Sequence, residues 1–229
     1  MDVFSQRPWA TVWRDHGRWV KRCPPHEVAL TAALSARWPD LVVEVLEADA
    51  DLLVLADAGA AADDPWLELL PRYAELQQGE TAHAGEHLAA GVPDQRVGTL
   101  LERFDEFPQF RHFRARFVEL LGRLTLPPSV QHDDLHRGNV LGGRIIDWGD
   151  AVIGHPFATL TVTLRVYDGD PQPLRDAYLE VWGRDYADEL DAALQVGAFT
   201  RILSWQRIEP ASPSLEANIE WFLKNVASS

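Results

Sequence analysis

The sequence predicts an α+β chain in two parts, a small mixed lobe over residues 1–56 and a larger, mainly helical one over 57–229. Three observations predict it. A strand, strand, helix, strand, strand order fills the first 55 residues. Helical spacing dominates after the Asp57-Ala58-Gly59 junction. With 229 residues, 46% of them hydrophobic, the chain has enough apolar side chain for a sizeable core.

The elements follow in order. WATVWRD (9–15) and GRWVKR (17–22) read as strands flanking His16-Gly17, a pair suited to a hairpin turn. Pro24-Pro25 ends the second strand and opens a helix in EVALTAALSARW, where Leu30, Leu34 and Trp38 share one face and Pro39 stops the run. LVVEVLEAD and DLLVLAD are two further strands. Asp64-Pro65 caps a helix through WLELLPRYAELQQ, kinked or restarted at Pro71. Helical patterns cover 80–90, 98–106 and 109–124, and Pro127-Pro128 ends them. The stretch 131–150 reads as strand, loop, strand, and helices are expected at 157–167, 173–183, 185–208 and 213–227.

Charge narrows the function classes. The formal net charge is -14 and the 35 acids are scattered, which argues against a nucleic-acid partner or an anionic membrane surface and suits a cationic or metal-bridged ligand. The single Cys23 cannot form an internal bridge, and no secretory leader or membrane-length apolar run is present, so a cytoplasmic location is expected. Nothing in the sequence fixes an oligomeric state. Nineteen Arg stand against two Lys, which makes Lys21, inside an expected strand, conspicuous.

The densest chemistry lies in QHDDLHRGNVLGGRIIDWGD, residues 131–150. Its order matches the kinase signatures H-R-D-L-x-x-x-N and D-F-G as His132-Asp133-Asp134-Leu135-x-x-x-Asn139 and, eight residues on, Asp147-Trp148-Gly149. Phosphoryl transfer needs an acceptor for the substrate's proton and oxygen ligands for Mg²⁺, with little else beyond positioning. On this reading Asp134 orients and deprotonates the acceptor, while Asn139 and Asp147 hold Mg²⁺. Two alternatives compete: these are ordinary turn residues, or His132, Asp134 and His136 form a zinc constellation.

HDDLHRGNVL and IIDWGDA resemble the catalytic segment of the aminoglycoside phosphotransferase family, small-molecule kinases related in fold to protein and choline kinases. QRPWATVWR, WVK, YAELQ, AAGVPD and HPFATLTVTLR are also similar to segments of bacterial members, so the likeness runs over about residues 7–185. It implies a two-lobed protein-kinase-like fold with a small, shortened antiparallel-sheet N-lobe, ATP and Mg²⁺ in the cleft, and a small-molecule acceptor such as an aminoglycoside. Lys21 matches the strand lysine that touches the nucleotide phosphates, and Glu27 its partner. LVLADAG (53–59) looks like the interlobe hinge, with the backbone of Ala56 and Ala58 as adenine contacts. His132 resembles a structural histidine beneath the metal-binding turn.

Departures from the family pattern are equally informative. No G-x-G-x-x-G precedes Lys21 and only about one strand fits ahead of it, so the phosphate-covering hairpin is expected to be shortened or missing. A non-catalytic nucleotide- or ligand-binding homologue is therefore the alternative function. Five residues separate Gly149 from His155, leaving no activation loop for a protein substrate. HPFATLT stands where many members carry D-P-x-x-D-L-A, so the catalytic loop must be braced otherwise. Trp182, Trp205 and Trp221, with Asp168, Asp170 and Glu209, could surround a cationic amine, although helical tryptophans more often serve as core.

Overall fold

Strand pairing and turn chemistry build the first lobe. The computed structural model describes residues 2–61 and 63–226. In it β1 (Asp2–Arg7), β2 (Ala10–Asp15), β3 (Arg18–Arg22), β4 (Val45–Asp49) and β5 (Leu52–Leu55) form one antiparallel sheet in the order β1-β2-β3-β5-β4. His16 and Gly17 take φ of 46° and 82°, the positive values that a two-residue turn needs to match the twist of its strands. The sequence left room for one strand ahead of Lys21, and the structure has both β1 and β2. Pro8-Trp9 closes a tight turn that sets Arg7 opposite Ala10, so residues 2–7 fold back along β2. The signal was weak because the outer strand buries little: Val3 and Phe4 are both exposed.

Helix α1 (Pro25–Arg37) opens on Pro25, whose missing N–H costs nothing in a first turn, and buries Leu30 and Leu34 completely. The strand expected over 41–49 divides. Only its second half pairs as β4; Leu41, Val42 and Val43 run instead beside Ile145, which donates to the Leu41 carbonyl at 2.7 Å and accepts from the Val43 N–H at 3.2 Å. Their apolar run thus serves the seam between the sheet and the strand that carries Ile145, a burial that periodicity cannot tell from a strand.

Helices supply most of the second lobe: α2 (Trp66–Glu80), α3 (Ala84–Ala89), α4 (Val97–Asp105), α5 (Arg114–Leu121), α6 (Leu160–Val166), α7 (Gln172–Trp182), α8 (Ala187–Ile208) and α9 (Pro213–Val226). α2 continues through Pro71, giving up one backbone bond, to the carbonyl of exposed Leu67. Between the helices lie short strands: β6 (Asp94–Gln95), β7 (Ser129–Gln131), β8 (Val140–Leu141), β9 (Arg144–Ile145) and β10 (Val152–Gly154). β10 joins β6 and β7 in one sheet, and β8 pairs with β9 across Gly142-Gly143. Phe104, Phe110, Phe117, Phe199 and Phe222 meet in the core, Phe104 and Phe117 stacked with centroids 4.2 Å apart. Each such burial stabilises by roughly 1.5–3 kcal/mol.

One polar knot fastens α1 to this lobe. Glu80, wholly buried at the end of α2, accepts from Arg37 at 2.8 and 2.6 Å and from the Trp38 indole at 2.7 Å, and is bonded to His87 of α3 at 2.7 Å. Burial would raise its carboxyl, but the bonds from His87, Arg37 and Trp38 outweigh that and hold it near a pKa of about 2. Among the described residues no helix is long and apolar enough to cross a membrane.

Candidate active site

The structure brings Lys21, Glu27 and Asp147 together. Lys21 lies on β3 directly opposite Leu53 of β5, and its buried ammonium bonds both the Glu27 carboxylate from the first turn of α1 and the Asp147 carboxylate. Burial disfavours the charge, yet Asp147 and Glu27 more than compensate, so Lys21 stays protonated with a raised pKa. Asp147 follows β9 in the left-handed region, φ 62°, and 53% of its side chain remains open to the cleft. Gly149 permits the close approach of α1, since a Cβ there would stand 2.8 Å from Glu27 Oε2. Beneath the turn His132 is buried against Trp148, centroids 4.8 Å apart, with Nε2 bonded to the Ile146 carbonyl at 2.8 Å.

Asp134 lines one cavity beside Lys21 and Asp147, and Asn139 the other. The Asn139 amide nitrogen donates to the Asp134 carbonyl at 2.9 Å, which leaves the amide oxygen as a ligand. Arg201 of α8 reaches three carboxylates: Asp134 Oδ1 at 2.7 Å, Asp150 Oδ2 at 2.7 Å and Asp133 Oδ2 at 3.4 Å. Its guanidinium lies over the Trp205 ring, 5.2 Å from the centroid. Burial would raise the Asp134 carboxyl, but His136 and Arg201 overcome it and hold it below the usual carboxylate range. Asp133, fully buried at φ 61°, goes the other way: burial pushes its carboxyl up to about 6 against the opposing pull of Arg201.

Arg201 is the residue that sequence reasoning missed. Relative to H-R-D the arginine at 133 has become an aspartate, and the Arg201 guanidinium reaches that aspartate from α8. The only hint was the absent D-P-x-x-D-L-A acids. In their stead Arg201 braces the loop with Tyr73, whose hydroxyl accepts from His132 N–H at 3.0 Å, and Thr163, which donates to the Leu135 carbonyl at 2.7 Å. The zinc alternative does not assemble, since His132 is committed inward to Ile146. Among the described residues no group of three metal-ligating side chains is positioned to hold a metal alone. Asp147 and the Asn139 amide oxygen are nevertheless hard oxygen donors of the kind that fit Mg²⁺.

Two cavities share Lys21 and Asp147 as a common wall. One, about 380 Å³ and largely apolar, is lined by Val12, Leu55, Ala56, Ala58, Leu141 and Ile146 among others. The other, about 310 Å³, is bounded by Ser5, Arg7, Asp134, Asp150 and Trp205. The Ala56 N–H already donates to the Glu44 carbonyl at 3.0 Å, so Ala56 can offer only its carbonyl to a ligand. Ala58 touches the hairpin of β8 and β9: a Cβ on Gly142 would fall 1.9 Å from its carbonyl oxygen. Of the three helical tryptophans, Trp205 lines the polar cavity. Trp182 packs on Phe157 at 5.4 Å and Trp221 beneath Arg165 at 5.3 Å. Asp168, Asp170 and Glu209 do not line the cavity.

Comparison with known proteins places this geometry. No curated protein shows significant sequence similarity to the chain. Among similar solved structures, the GDP and kanamycin complex of APH(2")-IIIa is 15% identical with a TM-score of 0.67, covering 100% of this chain and 93% of that one. Choline kinase LicA from Streptococcus pneumoniae is 13% identical with a TM-score of 0.65, covering 100% and 95%. Macrolide 2'-phosphotransferase MphH from Brachybacterium faecium, as apoenzyme, is 16% identical with a TM-score of 0.62, covering 94% and 89%. These likenesses establish the two-lobed protein-kinase-like fold. The model of the phosphotransferase enzyme family, APH, matches residues 4–192, most of the chain. The chain accordingly belongs to the APH phosphotransferase enzyme family and is a small-molecule phosphotransferase.

Proposed function

We propose that the chain transfers the γ-phosphoryl group of ATP to a hydroxyl of a small molecule, an aminoglycoside or a similar amino alcohol, with Mg²⁺ as cofactor. The observation that supports this best is the meeting of an apolar and a polar cavity at Lys21 and Asp147, with Asp134 on the polar wall. Adenine suits the apolar cavity, where the Ala56 carbonyl and the Ala58 N–H are its polar contacts. The phosphates then run past Lys21, whose ammonium is held at their path by Glu27 and Asp147. Asn139 and Asp147 would hold Mg²⁺, which would supply positive charge against that of the phosphates.

Asp134 orients the acceptor hydroxyl and takes its proton. A carboxylate of low basicity is adequate, because the transition state is loose and the hydroxyl keeps its proton until late. Arg201 fixes the direction of that carboxylate. The net charge of -14 favours a cationic acceptor, and the kanamycin bound to one structural relative and the choline kinase activity of another support an amino alcohol. An ATP co-substrate supports the expected cytoplasmic location.

The test is ATP consumption by the parent and by Asp134→Ala against aminoglycosides, choline, homoserine, sugars and macrolides. We expect turnover with at least one acceptor and a loss on the order of 10²–10⁴ in the variant, with Mg·ATP binding retained. Equal turnover in the two proteins would remove Asp134 from its role. Nucleotide binding without turnover toward any acceptor would favour the second reading, a non-catalytic binder, which the glycine-free Pro8-Trp9 turn motivates.

A further inference from the structure

The hairpin formed by β1 and β2 stands where a glycine-rich loop would close over phosphates through its backbone N–H groups. Its tip is Pro8-Trp9. Proline has no N–H to donate, and a tryptophan side chain keeps the backbone from the close approach that glycine allows. The tip therefore lacks the glycine backbone of the usual cover, and side chains are the donors the hairpin has to add.

The wall of the polar cavity shows which. Its carboxylates are Glu27, Asp134, Asp147 and Asp150, and its cations are Lys21 and Arg7. Lys21 is engaged by Glu27 and Asp147, whereas Arg7 makes no ion pair among the described residues. Ser5 and Arg7 lie two apart on β1 and so share one face. Their cross-strand partners, Val12 and Ala10, line the same cavity. An uncommitted guanidinium held over an acidic cleft, at the mouth of a nucleotide-sized path, is suited to an anion with several equatorial oxygens.

We propose that Arg7, with Ser5 beside it, binds the terminal phosphate of the nucleotide, so that this hairpin covers the phosphates with side chains instead of glycine backbone. The assignment rests on the phosphotransferase reading above. It makes the guanidinium fork a ligand of the γ-phosphate oxygens within the cavity it shares with Asp147, stabilising the charge that spreads over them during transfer.

Calorimetric titration of the parent, Arg7→Ala and Arg7→Lys with Mg·ADP and with the Mg complex of the β,γ-imido analogue of ATP tests it. The exposed position of Arg7 leaves the fold intact, which circular dichroism checks. Arg7→Ala is expected to weaken the triphosphate analogue about ten- to a hundredfold and ADP much less, with partial recovery in Arg7→Lys. If Arg7→Ala binds both nucleotides as the parent does, the assignment falls while the phosphotransferase reading stands. If the parent binds neither, both fall.

Discussion

A single guanidinium shared by Asp133, Asp134 and Asp150 sets the charge balance around the proposed transfer site. Arg201→Ala leaves those carboxylates without their counter-charge, and a loss of about 3–5 kcal/mol is expected in urea melts. Arg201→Lys keeps the charge but not the planar fork, so turnover should drop more than stability does. Asp133 offers a test by pH. Its folded carboxyl titrates near 6 against an ordinary 3.8, so the folded chain binds this proton more tightly than the unfolded one. Its contribution to stability is present below about pH 4, declines as pH rises, and the burial cost is complete above about pH 6. Asp133→Asn should therefore stabilise the protein on the order of 2–3 kcal/mol at pH 7.5, with the gain gone at pH 4. The same gain at both pH values would refute the buried-charge account. Asp134, Asn139 and Asp147 were legible because their spacing is local, whereas Arg201 joins Asp134 from 67 positions away and leaves no periodic or motif trace.

At the level of elements, the contact between the proposed hinge at Ala58 and the β8–β9 hairpin is the most exposed to mutation. Gly142 has φ 53° and no room for a Cβ beside the Ala58 carbonyl, while a Cβ on Gly143, φ 74°, meets nothing within 4 Å. Gly142→Ala is expected to cost about 1–3 kcal/mol and to weaken nucleotide binding by displacing the hinge. Gly143→Ala should show backbone strain alone, with affinity kept. Calorimetry on the pair separates the two effects, and equal affinity in both variants would contradict the contact. The four helices after Pro156 lay within a few residues of their expected places, since each carries an apolar stripe long enough to read. β6 and β8, two residues each, are too short to show any period, and β4 was overextended because Leu41, Val42 and Val43 are buried by a partner distant in sequence.

For the whole molecule the proposed nucleotide site makes a thermodynamic demand. A ligand at a hundred times its Kd adds about 2.7 kcal/mol to stability, so Mg·ATP should raise the melting temperature in a dose-dependent way, and an unchanged melt at high nucleotide would oppose the reading. The Glu80 knot bears on control. In protein kinases the helix carrying the lysine's glutamate partner is moved to switch activity. Here the corresponding helix, α1, is riveted at its far end by Arg37 and Trp38 to a carboxylate in the interior. Swinging it outward would strip that anion of its donors, so the knot opposes a switch of that kind.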